Sequence, residues 1–278
     1  MNGYQWLKWA ASQLEQRPNL SGREAKTQAQ WLLCAGLGTD WSGLWARLRE
    51  PVPPELEPLL QRRLAGRPLQ YVMGNAAFMG LPYSIDERAL IPRQDTELLA
   101  ELALSHIAGR PLRVLDVGTG PGTLALALAK LSPARVTALD ISRRALSLAA
   151  ENRRRLGLTR RVTLLQSDVT HALPRGARFD LIVSNPPYLT PGDWAQVHPD
   201  LRREPANAFL GGEDGLHFYR RLAVEANRHL RRGGCLLLEV GFGQAEPVAE
   251  LLARHFDRIR IHPDLNEIPR VVAGTRKD

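Results

Sequence analysis

The 278-residue sequence predicts an α/β fold, with a mainly parallel seven-stranded sheet covered by helices on both faces and a small all-helical region before it. Two observations predict this architecture. From residue 96 onward, short apolar runs alternate with segments of helical periodicity, which is typical of parallel strands joined by crossover helices. Before residue 70, apolar residues recur only at helical spacing. The chain is therefore expected to contain two parts of different class.

Residues 1–70 are interpreted as a helical domain, residues 71–90 as a hairpin linker and residues 91–278 as the α/β domain. Ser21 and Glu24 match a capping box and predict the start of a helix. Glycines and a proline punctuate the linker, as expected for a hairpin. An apolar face is predicted on the first helix at helical spacing: Tyr4, Leu7, Ala11 and Leu14.

The α/β domain contains a regular series of predicted elements. Strands are predicted over residues 112–117, 135–140, 162–167, 179–184, 235–240, 259–262 and 270–274. Helices are predicted over residues 97–107, 122–131, 143–156, 216–230 and 244–256. Asp95 or Thr96 is expected to cap the first of these helices and Ser142 the third, while Gly233-Gly234 is expected to end the fourth.

A glycine-rich turn follows the first strand of this domain and consists of Gly118, Thr119, Gly120, Pro121 and Gly122. Glycines permit positive φ and the close approach of a ligand to the backbone. A dinucleotide-binding turn would have Gly or Ala where this chain has Thr123. Asp116, two residues before the first glycine, would repel a pyrophosphate but suit a cationic ligand, such as one with an ammonium and a sulfonium. The turn therefore favours a cationic ligand over a dinucleotide.

Acidic residues also close the next two strands. Asp140 ends the second strand about 20 residues after the glycines, where an acid usually binds ribose hydroxyls. Asp168 follows the third strand and could accept a hydrogen bond from the amino group of an adenine. Each aspartate alone could instead cap a helix or form a turn. Three acids at three successive strand ends favour a ligand site.

The fourth strand runs into Asn185-Pro186-Pro187-Tyr188. Prolines have no N–H and hold φ at about −65°, so this turn is rigid and its carbonyls are free acceptors. Asn185 adds a side-chain carbonyl and Tyr188 adds a flat aromatic face. The corner would suit a planar NH₂ group, with two oxygens for its N–H bonds and a ring for stacking. The alternative is a proline-rich turn beside a core tyrosine.

These motifs resemble the class I S-adenosylmethionine-dependent methyltransferases and, more narrowly, the HemK/PrmC family, which methylates a glutamine side-chain amide in peptide chain release factors. The resemblance covers about residues 68–275. The segments that carry it are residues 71–74, 78–81, 90–97, 184–188, 204–205, 211–216, 239–241, 264–265 and 269–272, with Gln244. One departure is Pro121-Gly122-Thr123, where relatives often have Ser-Gly-Ala; proline suits a first helical position.

The resemblance implies a Rossmann-like class I methyltransferase domain that uses S-adenosyl-L-methionine and releases S-adenosyl-L-homocysteine. The implied substrate is the glutamine of the Gly-Gly-Gln motif in release factors, which the helical domain would help to hold. The implied catalytic residues are Asn185, Pro186 and Tyr188, which bind substrate together with Pro187. The implied cofactor-binding residues are Asp116, Gly118, Thr119, Gly120, Pro121, Gly122, Asp140, Asp168, Val169 and Asn185.

Two further charged segments belong to the resemblance without a defined role. Arg93 and Glu97 could pair with each other or position the peptide, and Glu204 with Pro205 could orient the active-site loop. A structural ion pair is an equally good interpretation of either segment.

Composition limits the setting of the protein. The formal net charge of +8 permits contact with an acidic protein or RNA but requires neither. There is no apolar stretch of about 20 residues and no basic region followed by an apolar core at the start of the chain, so no membrane span or secretory signal is expected. Cys34 and Cys235 lack metal-ligand spacing and suggest a reduced, cytoplasmic location. No metal site is expected.

Three alternative functions stay open from the residues alone. A glutamine methyltransferase of a ribosomal protein would share every motif above. A nucleic-acid methyltransferase acting on an exocyclic base amine would share the Asn185 corner, but usually adds a basic groove or recognition domain for a flipped base. A binding scaffold without catalysis would not need Asn185 and Tyr188.

Overall fold

The computed structural model describes residues 1–18 and 20–277; Asn19 and Asp278, which fall inside the predicted domain ranges, lie outside the described residues. The chain forms two compact units. The first consists of Met1–Gly74 with Pro199–Arg203, and the second of Asn75–His198 with Glu204–Asp278. The boundary after Gly74 falls within the predicted linker.

The first unit is helical. Its helices are α1 (Gly3–Glu15), α2 (Gly22–Leu37), α3 (Leu44–Arg47), α4 (Leu56–Leu64) and α5 (Leu69–Met73). The predicted capping box starts α2, because Glu24 N donates to Ser21 Oγ at 3.3 Å and Ser21 N donates to Glu24 Oε2 at 2.9 Å. Within this unit Asp200 pairs with Arg17 at 2.6 Å and with Arg63 at 2.8 Å.

The predicted apolar face of α1 is wrong at Tyr4 and confirmed at Leu14, which is buried, and at Leu7 and Ala11, which are partly buried and pack against the core of this unit. The buried residues are Gly3, Trp6, Ala10 and Leu14, whereas Tyr4 is 67% exposed. Gly3 lies close to the backbone of Leu48, since a Cβ added there would lie 3.1 Å from Leu48 O. A side chain at this position would require the neighbouring backbone to shift by a few tenths of an ångström.

The second unit begins with an antiparallel hairpin, β1 (Asn75–Phe78) and β2 (Leu81–Ser84). Its large sheet consists of β3 (Arg113–Val117), β4 (Arg135–Asp140), β5 (Val162–Gln166), β6 (Phe179–Ser184), β7 (Leu230–Glu239), β8 (Phe256–Pro263) and β9 (Pro269–Arg276). The strand order is β5-β4-β3-β6-β7-β9-β8, and β9 runs antiparallel to both of its neighbours, whereas the strands from β5 to β7 pair in parallel. The predicted fold class is confirmed.

The helices of this unit are α6 (Asp95–Ile107), α7 (Thr123–Leu131), α8 (Arg143–Arg155), α9 (Pro191–Gln196), α10 (His217–His229) and α11 (Ala245–Ala253). Short 3₁₀ turns cover Leu201–Arg203, in the first unit, and Ala206–Ala208. The predicted cap of α8 is confirmed, since Ala145 N donates to Ser142 Oγ at 3.2 Å. None of the helices in the described part of the chain is long and apolar enough to cross a membrane.

Two predictions about helix ends are wrong. Neither Asp95 nor Thr96 caps α6: the helix already begins at Asp95, Gln94 precedes it without a side-chain cap, and the Thr96 hydroxyl binds Asn185 instead. Gly233-Gly234 does not end α10, because the buried Leu230 is already extended and pairs with Phe179. The register of β6 and β7 then shifts, and the glycines lie in the extra residues of β7.

The topology of the sheet defines where a ligand can bind. From β3 the chain first builds outward through β4 and β5, then returns to place β6 on the other side of β3. Open α/β sheets bind ligands at the carboxyl ends of the strands where the order reverses. Val117 and Ser184 end β3 and β6 in register, so the glycine-rich turn and the Asn185 corner leave the sheet side by side.

Candidate active site

A cavity of about 570 Å³ lies at the carboxyl ends of β3 and β6, where the strand order reverses. Every predicted cofactor-binding residue except Gly122 lines it, and so do Pro186 and Pro187. The structure thus brings together residues that follow four different strands. A cavity of this size is within the usual range of roughly 300–1,000 Å³ for small-molecule sites.

The glycine-rich turn has the backbone that its sequence predicts. Gly118, Gly120 and Gly122 all have positive φ, at 77°, 55° and 86°. Gly118 N and Thr119 N both donate to Leu139 O, at 2.9 and 2.8 Å. A Cβ on Gly122 would lie 3.0 Å from Leu126 Cδ1 and 3.2 Å from Ala149 Cβ, so this glycine packs the turn against α7 and α8.

Asp116 is a buried carboxylate in the wall of the cavity. It is 1% exposed, and its Oδ2 accepts a hydrogen bond from Thr119 Oγ1 at 2.6 Å. Burial raises the pKa of Asp116 to about 7, and the nearby Asp140 charge acts in the same direction. A cationic group in the cavity would relieve this cost. Asp116 therefore fits the cationic ligand that the sequence predicts.

Asp140 both lines the cavity and holds its wall. Its Oδ2 accepts from Gly120 N at 2.8 Å and its Oδ1 accepts from Ser142 N at 2.8 Å. Burial raises the pKa of this carboxyl, while the backbone N–H groups act in the opposite direction. The turn-forming interpretation thus holds for Asp140, and ribose binding stays a prediction.

Asp168 has a partner that the sequence analysis missed. Arg221 Nη1 on α10 lies 2.7 Å from Asp168 Oδ1, and both residues line the cavity. The next residue, Val169, is buried and has a φ of 46°, which is strained for a β-branched residue. No local signal predicts the ion pair, because 53 residues separate its partners.

At the Asn185 corner, Asn185 Nδ2 donates to Thr96 Oγ1 at 3.0 Å. Tyr188, by contrast, is absent from the cavity lining among the described residues. Its ring packs on Gly241, where an added Cβ would lie 2.8 Å from Tyr188 Cδ2. Gln244 Nε2 donates to Tyr188 O at 3.0 Å. Stacking of Tyr188 on a substrate amide stays a prediction.

A second loop braces this corner. Leu189 N donates to Phe209 O at 2.7 Å, and Gly211 N donates to Leu189 O at 2.8 Å. A Cβ on Gly211 would lie 2.6 Å from Pro187 O. Glycine is therefore required where this loop crosses the two prolines.

Arg93 and Glu97 do not pair with each other. Arg93 Nη2 binds Glu204 Oε1 at 2.6 Å, and the other carboxylate oxygen of Glu204 accepts from Ile91 N at 2.8 Å. Glu97 Oε1 instead accepts from Met79 N at 2.6 Å in the turn of the hairpin. Glu204 is almost fully buried, so it holds the Arg93 loop, which lines the cavity, to the segment before Pro205.

Glu239 is a further residue that the sequence analysis left without a role. It ends β7, is 3% exposed and lies beside Asn185 and Thr96. Burial raises the pKa of Glu239 to about 7, and hydrogen bonds from Thr96 and Asn185 act in the opposite direction. The available sequence signal was an acid at the end of an otherwise apolar strand.

Metal-ligating groups do not cluster at this site. Within residues 1–18 and 20–277, no three His, Cys, Asp or Glu side chains are arranged to hold a metal ion. Cys34 and Cys235 are both buried and unbridged.

Comparison with known proteins covers both units. Residues 5–74 match the family model described as PrmC N-terminal domain, and residues 109–240 match a methyltransferase domain. Among solved structures, a methyltransferase from Pyrococcus furiosus matches 73% of this chain and 92% of its own, with a TM-score of 0.53 and 18% identity. The catalytic domain of hMettl16 in complex with a 3′UTR hairpin matches 77% and 82%, with a TM-score of 0.61 and 16% identity. These two likenesses concern the fold alone.

Two curated relatives match almost the whole chain. The release factor glutamine methyltransferase of Geobacter sulfurreducens is 40% identical over 96% of this chain and 94% of its own length. The protein of the same name from Bordetella pertussis is 42% identical over 92% and 96%. Together with the two domains in their order, these matches show that the chain belongs to the release factor glutamine methyltransferase family.

Proposed function

We propose that this protein transfers a methyl group from S-adenosyl-L-methionine to the side-chain amide nitrogen of the glutamine in the Gly-Gly-Gln motif of peptide chain release factors. One observation carries the proposal: the Asn185 corner and the glycine-rich turn follow adjacent strands that end in register, and residues 185–187 and 118–121 line one cavity. The corner suits a planar amide, and the cavity suits a cationic donor. The names of the relatives point to the same substrate.

The residues of the cavity fit this methyl donor, which supplies an electrophilic methyl group on a sulfonium. Asp116 and the glycine-rich turn would hold the ammonium group of its amino-acid part, because Asp116 offers a buried carboxylate without a cationic partner among the described residues. Asp140 would bind the ribose hydroxyls. Asp168 and Val169 lie in the remaining part of the lining and would bind the adenine.

The acceptor is an amide, whose nitrogen is a poor nucleophile because its lone pair is delocalised into the carbonyl. Asn185 Oδ1 and the carbonyl oxygen of Pro186 would accept hydrogen bonds from the two N–H groups of the glutamine amide. They would thereby favour a pyramidal nitrogen and the positive charge that grows on it. Preorganised groups of this kind contribute roughly 10²–10³-fold in rate per contact. Tyr188 would pack on the amide plane.

Proton transfer is not needed before the methyl group moves. The methylated nitrogen is acidic enough to lose its proton afterwards to water or a nearby acceptor. The chain therefore needs to orient the amide and exclude water, and a general base is not part of the proposal. Pro186 and Pro187, with fixed φ and no N–H, keep the corner rigid.

The protein substrate extends beyond one side chain. We assign its recognition to the helical unit as well as to the cavity, since that unit matches the PrmC N-terminal domain and precedes the methyltransferase domain. Glycines on both sides of the target would let a thin strand reach a buried methyl group. Nucleic acid has no assigned role, and the expected location is the cytoplasm.

The test uses labelled methyl donor with purified release factor, ribosomal protein, DNA and a short Gly-Gly-Gln peptide in parallel. Label on the glutamine amide of the release factor, located by mass mapping, is the expected result. The peptide should react with a lower kcat/KM than the intact factor, because it lacks the surface that the helical unit would hold. Label on the ribosomal protein or on DNA alone would overturn the proposed substrate.

The role of Asn185 has its own test. Asn185→Ala should reduce kcat by roughly 10²-fold or more, since an acceptor for the reacting amide is lost. The Kd of S-adenosyl-L-methionine should stay within a few fold. Both are measured by single-turnover kinetics and titration calorimetry. Turnover at the wild-type rate would remove Asn185 from the mechanism.

A further inference from the structure

Glu239 lies next to Asn185 at the carboxyl ends of two neighbouring strands. β6 and β7 are parallel, and Ser184 is in register with Leu238. The next residues, Asn185 after β6 and Glu239 at the end of β7, therefore lie side by side. The first turn of α6 adds Thr96 to this pair.

The three side chains form a buried polar cluster. Asn185 Nδ2 donates to Thr96 Oγ1 at 3.0 Å, and both side chains hydrogen-bond with the Glu239 carboxylate. Glu239 Oε2 has no hydrogen-bond partner in the described part of the chain. A carboxylate at 3% exposure with an unused oxygen is costly, which suggests that it serves the site.

An ionised carboxylate decides how a neighbouring amide is oriented. The oxygen and the NH₂ group of an asparagine have similar shape, so the orientation depends on the groups around them. An ionised carboxylate only accepts hydrogen bonds and therefore selects the orientation with Nδ2 toward it. Oδ1 is then the group left for the cavity that Asn185 lines. A protonated carboxyl can donate instead and would tolerate the reversed amide.

We propose that Glu239, together with Thr96, is a positioning residue that holds the Asn185 carbonyl toward the substrate amide. The inference rests on the proposed function, because it assigns the orientation of the group that accepts the glutamine N–H. The negative charge behind the Asn185 amide also polarises Oδ1 and makes it a stronger acceptor as positive charge develops on the nitrogen. Glu239 acts through Asn185 and needs no contact with the substrate.

Other charged and titratable groups face Glu239 from each element around it. Asp95 of α6 acts against ionisation and Arg270 of β9 acts in favour of it. Arg270 also forms two ion pairs, one with Asp95 at 3.1 Å and one with Asp264 at 3.1 Å. Tyr188 and Tyr219 also face the carboxylate, and its charge raises the pKa of both phenols, which burial already raises.

The first test is Glu239→Gln, which keeps the shape and removes the charge. We expect kcat to fall about 10- to 100-fold, the usual effect of losing a group that orients a reacting residue. The acid limb of the kcat profile, from protonation of Glu239, should disappear. The Kd of S-adenosyl-L-methionine should stay within a few fold. Thr96→Val should lower kcat, and Thr96→Ser, which keeps the hydroxyl, should restore it.

Asp180→Asn is the matched control. It removes a carboxylate near the amino end of β6, at the other end of the strand from Asn185, where Asp180 accepts a hydrogen bond from Arg113 N and pairs with Arg231. Its kcat and pH profile should equal those of the wild type. A wild-type kcat and acid limb in Glu239→Gln would overturn the inference. So would a loss of kcat matched by equal losses in donor affinity and thermal stability, since that pattern belongs to a structural residue.

A second readout does not depend on turnover. The side-chain NH₂ resonances of ¹⁵N-labelled Asn185 should shift with pH in the wild type as Glu239 titrates, and should not shift in Glu239→Gln. If the Asn185 resonances shift with pH as expected but no amide substrate is methylated, the proposed function is rejected. The orientation of Asn185 by Glu239 is then still supported. A pH-independent Asn185 resonance in the wild type would overturn the inference itself.

Discussion

At the residue scale, three aspartates at or near the carboxyl ends of β3, β4 and β5 lie in three different environments. Asp116 is buried with a hydroxyl partner, Asp140 is bound by two backbone N–H groups, and Asp168 pairs with Arg221. The same residue type at the same kind of position therefore has three electrostatic states. Burial raises the pKa of Asp116 to about 7, and this carboxyl is the one that a cationic ligand would affect most.

Proton release on cofactor binding is the prediction that follows. Below its folded-state pKa of about 7, Asp116 is largely protonated, and a cationic ligand favours the ionised form. Binding of S-adenosyl-L-methionine should therefore release protons, and its affinity should rise between pH 6 and pH 7.5. Calorimetry in buffers of different ionisation enthalpy measures the release. Asp116→Asn should bind more weakly without this pH dependence; an unchanged dependence would contradict the assignment.

At the scale of elements, the loop around Gly211 determines the position of the Asn185 corner. This loop pairs with Leu189 on one side, and Gly241 and Gln244 hold Tyr188 on the other. The two prolines make the corner rigid, but rigidity alone does not place it. Its position comes from contacts with segments that lie 20 or more residues away in the chain.

Gly211→Ala tests this brace. The added Cβ would lie 2.6 Å from Pro187 O and 2.7 Å from Tyr188 Cα, so the corner must shift. A displacement of about 1 Å can cost on the order of 10²-fold in rate, and we expect that loss in kcat. Gly176→Ala is the control, since nothing lies within 4 Å of its added Cβ. Equal kcat in the two variants would show that the loop does not position the corner.

At the scale of the whole molecule, the unliganded site works against stability. Asp116 and Glu239 are both buried, and burial raises the pKa of each to about 7. A carboxyl whose folded pKa exceeds its unfolded value binds a proton more tightly in the folded state. Its contribution to stability is complete below the unfolded pKa and is lost as pH rises through the folded pKa.

Because the folded-state pKa values of these two carboxyls exceed their unfolded values, the free energy of unfolding should fall as pH rises. Asp116 and Glu239 should make the unliganded protein lose stability between about pH 4 and pH 7, by several kcal/mol, since each unit of pKa shift corresponds to about 1.36 kcal/mol. Urea unfolding at pH 5 and pH 8 measures the change. The double variant Asp116→Asn/Glu239→Gln should lose less stability over the same interval. Identical pH slopes in the two proteins would contradict the prediction.

Sequence alone was sufficient for the class of the fold and for a group of residues that line one cavity. Apolar periodicity identified the seven strands in order, since burial acts on each segment locally. Positive φ at Gly118, Gly120 and Gly122 follows from the residue type in a strand-to-helix turn. The acids at strand ends and the Asn185 corner line one cavity because carboxyl ends of parallel strands share one edge.

Only the tertiary structure decided which groups act on one another. Thr96 satisfied the pattern of a helix cap, yet its hydroxyl binds Asn185, 89 residues away. Arg93 pairs with Glu204 and not with the nearby Glu97, and Asp168 pairs with Arg221 on α10. Glu239 carried no motif that assigned it to the site. Propensity and spacing describe one segment at a time, whereas a buried polar group takes whichever partner packing brings within about 3 Å.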